Sequence, residues 1–209
     1  MMRYIWGLIV ILAAAVSLHA QQTDSTHGVD TTLPPNVYRL KLFVSGGMQF
    51  TVFKEPTTAV GNRRSFTMPT FNVRAMWKPE HLLSVGLMSG YTTLARETLT
   101  AQDIPQLQGD LHLELDAIPM MMVFAMQQYG VEVSVGIGAY YLTSTSTGSR
   151  LGDTRSTDFT LGVSLLAGYT YKFTDRFGLG VEAGLHNLSS RGIFGIAPAL
   201  RLEYDFYTY

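Results

Sequence analysis

From about residue 37 onward, apolar and polar side chains alternate with a period of two through segment after segment, and this habit constrains the fold more than any motif does. In VEVSVGIGAYYL (131–142), Val131, Val133, Val135, Ile137, Ala139 and Tyr141 share one parity; Glu132, Ser134, Gly136, Gly138, Tyr140 and Leu142 share the other. Successive side chains leave a pleated backbone on opposite faces, so the pattern predicts a strand with one apolar face. DFTLGVSLLAGYTYKF (158–173) alternates most regularly, and FGLGVEAGLHNL (177–188) and IAPALRLEYDF (196–206) follow suit. Earlier strands are expected near 37–53, 70–78, 82–94 and within LHLELDAIPMMMVFAM (111–126), which makes eight. SVGLMSGY (84–91), SVGIGAYY (134–141) and, more loosely, GLGVEAGL (178–185) each follow a short turn, so the repeating unit is a hairpin.

The connections differ in length. KEPTTAVGNRRS, ARETLTAQDIPQLQGD and TSTSTGSRLGDTRST read as long loops, whereas KPEH, QQYG and TDR read as tight turns. Long loops at one end of a barrel and short turns at the other is the outer-membrane pattern. MMRYIWGLIVILAAAVSLHA has one Arg3, an apolar run from Tyr4 to Val16 and a small-residue exit, so a signal peptide over 1–20 is expected, with cleavage after Ala20. QQTDSTHGVDTTLPP (21–35) is polar, ends in Pro34-Pro35 and reads as a linker, which leaves 36–209 as the ordered domain.

Two eight-stranded designs fit such a chain. A soluble lipocalin-like barrel turns its apolar face inward, and a membrane barrel turns it outward and lines its lumen with the polar face. The glycine and serine of the polar face suit a narrow lumen. Tyr38, Trp77, Tyr171, Phe177 and Tyr204 end the apolar face beside the short turns and would form an interfacial girdle. Both features favour an eight-stranded antiparallel up-and-down transmembrane barrel in the outer membrane, with outer-membrane lipid as its surroundings. The polar parity carries charges of both signs: Arg39, Lys41, Arg74, Lys78, Lys172 and Arg201 against Glu114, Asp116, Glu132, Asp158, Glu182, Glu203 and Asp205. An isolated buried charge is costly, so the lumen is expected to be cross-linked by ion pairs. Antiparallel pairing of the first and last strands would bring Arg39 and Lys41 to Glu203 and Asp205 at the seam. IPMMMVFAM is apolar on both parities: if His112, Glu114 and Asp116 face the lumen, Met120, Met122 and Phe124 do too, unless a bulge near Pro119 shifts the phase.

LDAIPMMMVFAM, VEVSVGIGAYYL, FTLGVSLLAGYTYKFTDRFGLGVEAGLHNLSS and LRLEYDF together resemble the small outer-membrane barrels called PorT-like. The Ile118-Pro119 pair, the Gly-rich strand ending in tyrosines and the Gly184-Leu185-His186-Asn187 corner carry the resemblance over roughly 36–209. It implies insertion by the barrel-assembly machinery and no defined activity for most members; some relatives are thought to dock a secretion apparatus. The family often stops at an aromatic in register, whereas here Tyr207-Thr208-Tyr209 follows Phe206 and puts Tyr209 on the opposite parity. Either a small irregularity ends the strand, or Tyr204 and Phe206 form the assembly signal with a short overhang.

Little chemistry is written in the chain. It has no cysteine, which excludes thiolate sites and disulfides, and 15 basic against 16 acidic residues give no basic surface for nucleic acid. His19, His27, His81, His112 and His186 lack metal-site spacing, GLGVEAG has the wrong spacing for a nucleotide loop, and no cofactor is expected. The carboxylate pairs Glu114/Asp116 and Glu203/Asp205 read as salt-bridging groups. Outer-membrane lipid A deacylases are also eight-stranded barrels and use a His and a Ser two residues apart on the lipid face; His186 and Ser189 are three apart, and His186 is on the lumen parity. The expectation is a non-enzymatic scaffold that displays its loops or docks an envelope or secretion component. A small-solute pore is the alternative, and a lipid-modifying enzyme stands further off.

Overall fold

The computed structural model describes residues 39–54, 64–65, 67–79, 83–100, 109–148, 153–188 and 191–208. The expected signal peptide and linker, together with Tyr38, His81, Ser189 and Tyr209, lie outside the described residues. Among the described residues the strands are β1 (Arg39–Phe53), β2 (Arg64–Ser65), β3 (Thr67–Lys78), β4 (Leu83–Leu99), β5 (Leu111–Gln128), β6 (Val131–Thr147), β7 (Thr154–Lys172), β8 (Phe177–Leu188) and β9 (Ile193–Thr208). The two-residue β2 adds to the edge of β4. The other eight form a closed antiparallel ring, because β1 pairs with both β3 and β9 and β4 pairs with β5. Closure gives every strand of the barrel body a neighbour on each side, which satisfies its backbone polar groups internally.

The apolar parity is on the outside. On β6, Val131, Val133, Val135 and Ile137 are 38–57% exposed, whereas Glu132 and Ser134 are 3% and 1% exposed. The same inversion runs through β7, where Leu161, Val163 and Tyr169 are exposed and Thr160, Ser164 and Thr170 are buried. At the turn end, β5 and β6 are joined by Tyr129-Gly130, both at positive φ (51° and 82°). Two left-handed residues make a two-residue hairpin loop whose twist matches the strands.

Three features depart from the alternation read in the sequence. First, β5 pairs with β6 without interruption from His112↔Thr147 to Gln128↔Val131, so no bulge occurs at Pro119. Met120, Met122, Phe124 and Met126 are exposed, and Ala117, Pro119, Met121, Val123 and Ala125 fill the lumen. Glu114 and Asp116 therefore belong to the outward parity, not to the lumen face with which their polarity grouped them. The bulge sits instead in β4, between Thr93 and Ala95, where Leu94 is the extra residue. It swings Arg96 and Thr98 to the same outward side, where Arg96 bonds Glu114 at 2.5 Å and Thr98 bonds His112 at 3.0 Å.

Second, much of what reads as loop is strand. Thr143↔Thr157 through Ser146↔Thr154 continue the β6–β7 ladder, and Ala95↔Leu115 through Leu99↔Leu111 continue the β4–β5 ladder. A sheet of β4 to β7 thus extends beyond the barrel body at the loop end. Among the described residues β7 pairs with β8 from Val163 inward, and its outer part from Thr154 pairs with β6. Third, β9 carries its own bulge: Leu40 pairs with Tyr207 but Lys41 pairs with Asp205, which leaves Phe206 as the extra residue. Tyr207 thereby joins Tyr204 on the outward side, and the irregularity lies within the strand, which continues to Thr208.

Several lumen glycines are sockets for larger neighbours. A Cβ on Gly162 would lie 2.5 Å from the Tyr140 ring, and one on Gly168 would lie 3.0 Å from Arg201 Nη1. Gly162→Val is expected to displace Tyr140 and to destabilise the barrel by about 1–3 kcal/mol, the usual cost of overpacking. Urea unfolding in detergent micelles, followed by tryptophan fluorescence, measures it.

Candidate functional site

The lumen is where the sequence-derived charges converge, and β1, β3, β6, β7, β8 and β9 each contribute. Arg74 of β3 donates to Glu132 of β6 at 3.0 Å and to Glu182 of β8. Arg201 of β9 donates to the same two carboxylates at 3.0 and 3.4 Å. Two guanidiniums and two carboxylates thus form a closed, charge-neutral ring, with every member less than 7% exposed. Remaining donors are used as well: Arg74 Nη1 bonds Ser134 Oγ at 3.1 Å, and Arg201 Nε bonds Thr170 Oγ1 at 3.1 Å. Phe43 of β1 packs against both cations, its ring centroid 4.9 Å from Arg74 Cζ and 5.1 Å from Arg201 Cζ. An aromatic face is an attractive surface for a desolvated guanidinium, so the ring lies in a pocket suited to it.

A second cluster lies toward the turn end. Lys41 Nζ is 2.8 Å from Glu203 Oε1 and 2.6 Å from Gln127 Oε1. Lys172 Nζ is 2.5 Å from Asp205 and 3.6 Å from Glu203, and Arg39 reaches Asp205 at 3.9 Å. These contacts cross the β1–β9 seam and extend it to β5 and β7. At the opposite end Asp158 pairs with Arg191.

Beside the ion-pair ring the lumen is apolar. Met76, Met88, Met121, Val123 and Leu166 are buried there with Leu94, Leu188 and Tyr140. His186 points into this layer, with Nδ1 3.0 Å from Tyr140 Oη. His186 therefore offers nothing to the outer face. No group of acidic and histidine side chains among the described residues has the arrangement of a metal site. Charged ring, aromatic filler and apolar layer leave the lumen packed with side chains, and the chemistry available inside is ion pairing and hydrogen bonding.

Of the girdle residues, Trp77, Tyr171 and Phe177 are exposed and Tyr204 is half-buried, all near the turn end; Phe177 and Tyr204 stack with centroids 4.7 Å apart. Sequence reasoning missed Phe43, Gln127 and Tyr140 as lumen partners. The available signal was an aromatic on a polar parity: both Phe43 and Tyr140 stand among residues that alternate as polar, where only a filled lumen accommodates a ring.

No family model and no curated protein sequence matches the chain. Among solved structures it is similar to Neisserial surface protein A, at 11% identity over 80% of this chain and 97% of that one, with a TM-score of 0.49. It is similar to Ail, the attachment invasion locus protein of Yersinia pestis, at 10% identity over 81% of this chain and 98% of the other, TM-score 0.49. The N-terminal β-barrel domain of Pseudomonas aeruginosa OprF gives 11% identity over 81% and 98%, TM-score 0.37. At these values the eight-stranded closure of this chain rests on its own pairing registers.

Arg74→Ala leaves two buried carboxylates to share Arg201 alone and is expected to cost about 3–5 kcal/mol. In a Glu182→Gln background the cost of the same substitution should fall by about 1–3 kcal/mol, the coupling expected of direct partners. A double-mutant cycle by chemical unfolding measures both, and strict additivity would refute the pairing.

Proposed function

We propose that this chain is an integral outer-membrane β-barrel protein acting as a non-enzymatic scaffold, of the PorT-like kind. Its outer hairpins meet other molecules or help to dock an envelope or secretion component. The observation that carries the reading is the inverted barrel: the exposed parity is apolar around the wall while the buried parity holds the ion pairs. A soluble monomer does not expose an apolar surface of that extent. On β6 the outward residues from Val131 to Tyr141 are apolar; at about 3.3 Å per residue and the usual tilt they cover roughly 25 Å, the height of a barrel's hydrocarbon band. Beyond that height the outward residues become Glu114, Asp116, Arg96 and Thr98, as aqueous surroundings require. With the short turns facing the periplasm, the extended β4–β7 sheet is extracellular.

The packed lumen supports a scaffold over a conduit, since the charged ring spans the interior from β3 to β8 and from β9 to β6. Interaction is supported by the outer part of β7, whose far edge pairs with no strand among the described residues. Strand edges of this kind accept extended segments through backbone hydrogen bonds.

The mature chain is expected to need detergent or lipid to stay monodisperse, and to give no reproducible single-channel openings in planar bilayers. Openings that respond to Glu182→Gln would favour a pore instead. Pull-down from detergent-solubilised outer membranes should recover a partner, and removing residues 145–155 should abolish recovery while the barrel still folds. Recovery of the barrel alone would remove the main support for an accessory role.

A further inference from the structure

We infer that the turn end carries a binding site for the phosphate group of a membrane phospholipid. A cavity of about 790 Å³ opens there, and its wall includes Arg39, Lys172 and Arg176 on the polar side and Phe173, Phe206 and Tyr207 on the other. This volume lies within the range of small-molecule sites.

The charges in the wall are unequally committed. Asp205, 5% exposed, is already shared by Lys172, Lys41 and Arg39. Its negative charge is therefore already matched by neighbouring cations, with Oδ2 held by Lys172. Arg39, by contrast, is 42% exposed in its side chain and holds Asp205 only at 3.9 Å. Arg176 makes no ion pair among the described residues and is exposed, as is Asp175. Lys41 stands behind the wall, on Glu203. The lining thus has three cations against Asp175 and Asp205, with two guanidinium forks available. Guanidinium donors match a phosphate oxygen pair in geometry as well as in sign.

The cavity is also preformed. Asp205 N–H donates to Arg176 O at 2.8 Å, and the N–H groups of Phe173 and Thr174 donate to Phe177 O at 3.2 and 3.3 Å, which fix the β7–β8 turn against β9. Thr174 Oγ1 accepts from Phe177 N–H at 2.9 Å. The Phe206 bulge turns β9 at the cavity's edge.

Aromatic rings give the reason for a lipid rather than a soluble phosphate. Phe173 and Phe177 lie 6.4 Å apart, Phe177 and Tyr204 4.7 Å, and Tyr204 and Phe206 6.3 Å. This row begins and ends at cavity-lining residues and passes over the apolar exterior. A headgroup held by Arg39 and Arg176 would lay its acyl chains along these rings. The lipid source rests on the proposed membrane orientation; the phosphate chemistry does not.

Native mass spectrometry of the detergent-solubilised full chain tests the site, with phosphatidylglycerol, phosphatidylethanolamine, diacylglycerol and soluble glycerol phosphate as probes. Both phospholipids should be retained at least tenfold more than diacylglycerol, and an Arg39→Gln, Arg176→Gln double variant should lose that preference. Lys54→Gln, at the opposite end, should leave it unchanged. Equal retention of diacylglycerol, or an undiminished preference in the double variant, overturns the inference. Glycerol phosphate held as well as the lipids would uphold the phosphate site and assign its source to solutes. Heat-modifiable migration of each variant reports folding, and solubility of the chain without detergent would count against the membrane reading alone.

Discussion

The ring of Arg74, Glu182, Arg201 and Glu132 is the interaction on which the rest of the structure depends. A barrel of eight strands has room inside for side chains only, so any charge placed there loses most of its water. Desolvation on that scale is offset when each charged atom finds a counter-charge and its remaining donors find acceptors. Here each guanidinium meets both carboxylates, Ser134 and Thr170 take further donors, and Phe43 packs against both cations. The glycines follow from the same demand: side chains as long as Arg201 and Tyr140 fit only because Gly168 and Gly162 leave space beside them.

The apolar exterior and the polar interior are complementary consequences of one alternating register. Where both faces had distinct environments, that register could be read directly: β6, β7 and β8 place each residue on the face its parity indicates. β5 could not be read in this way. Its lower half is apolar toward the lumen as well, since Met121, Val123 and Ala125 pack against Met76, Met88 and Leu166. Its upper half rises past the apolar belt, where water surrounds both faces and polarity no longer reports direction. Glu114 and Asp116 were therefore easy to assign to the wrong side.

The two bulges were equally hidden. Leu94 is an apolar residue among others, and a single insertion in β4 becomes visible only when its partner strand is known. Phe206 left a trace in the mismatch between Tyr204 and Tyr209, but that mismatch did not say which residue was extra. The serine and threonine segments around 143–157 misled for another reason. Ser and Thr serve loops well, yet threonine is also a good strand former, and a ladder above the belt needs no apolar face. The approach of Arg39 and Lys41 to Glu203 and Asp205 rested only on antiparallel closure of the first and last strands, which is why the seam was more legible than the crown.

Arg201 belongs to β9, and Glu132 and Glu182 to strands that precede it in the chain. Until that strand docks, those two acids have only Arg74 from within the ring, so the nascent interior must stay hydrated. Drying of the lumen and zipping of the β1–β9 seam are therefore coupled, because β9 supplies both the seam ladder and the second guanidinium of the ring.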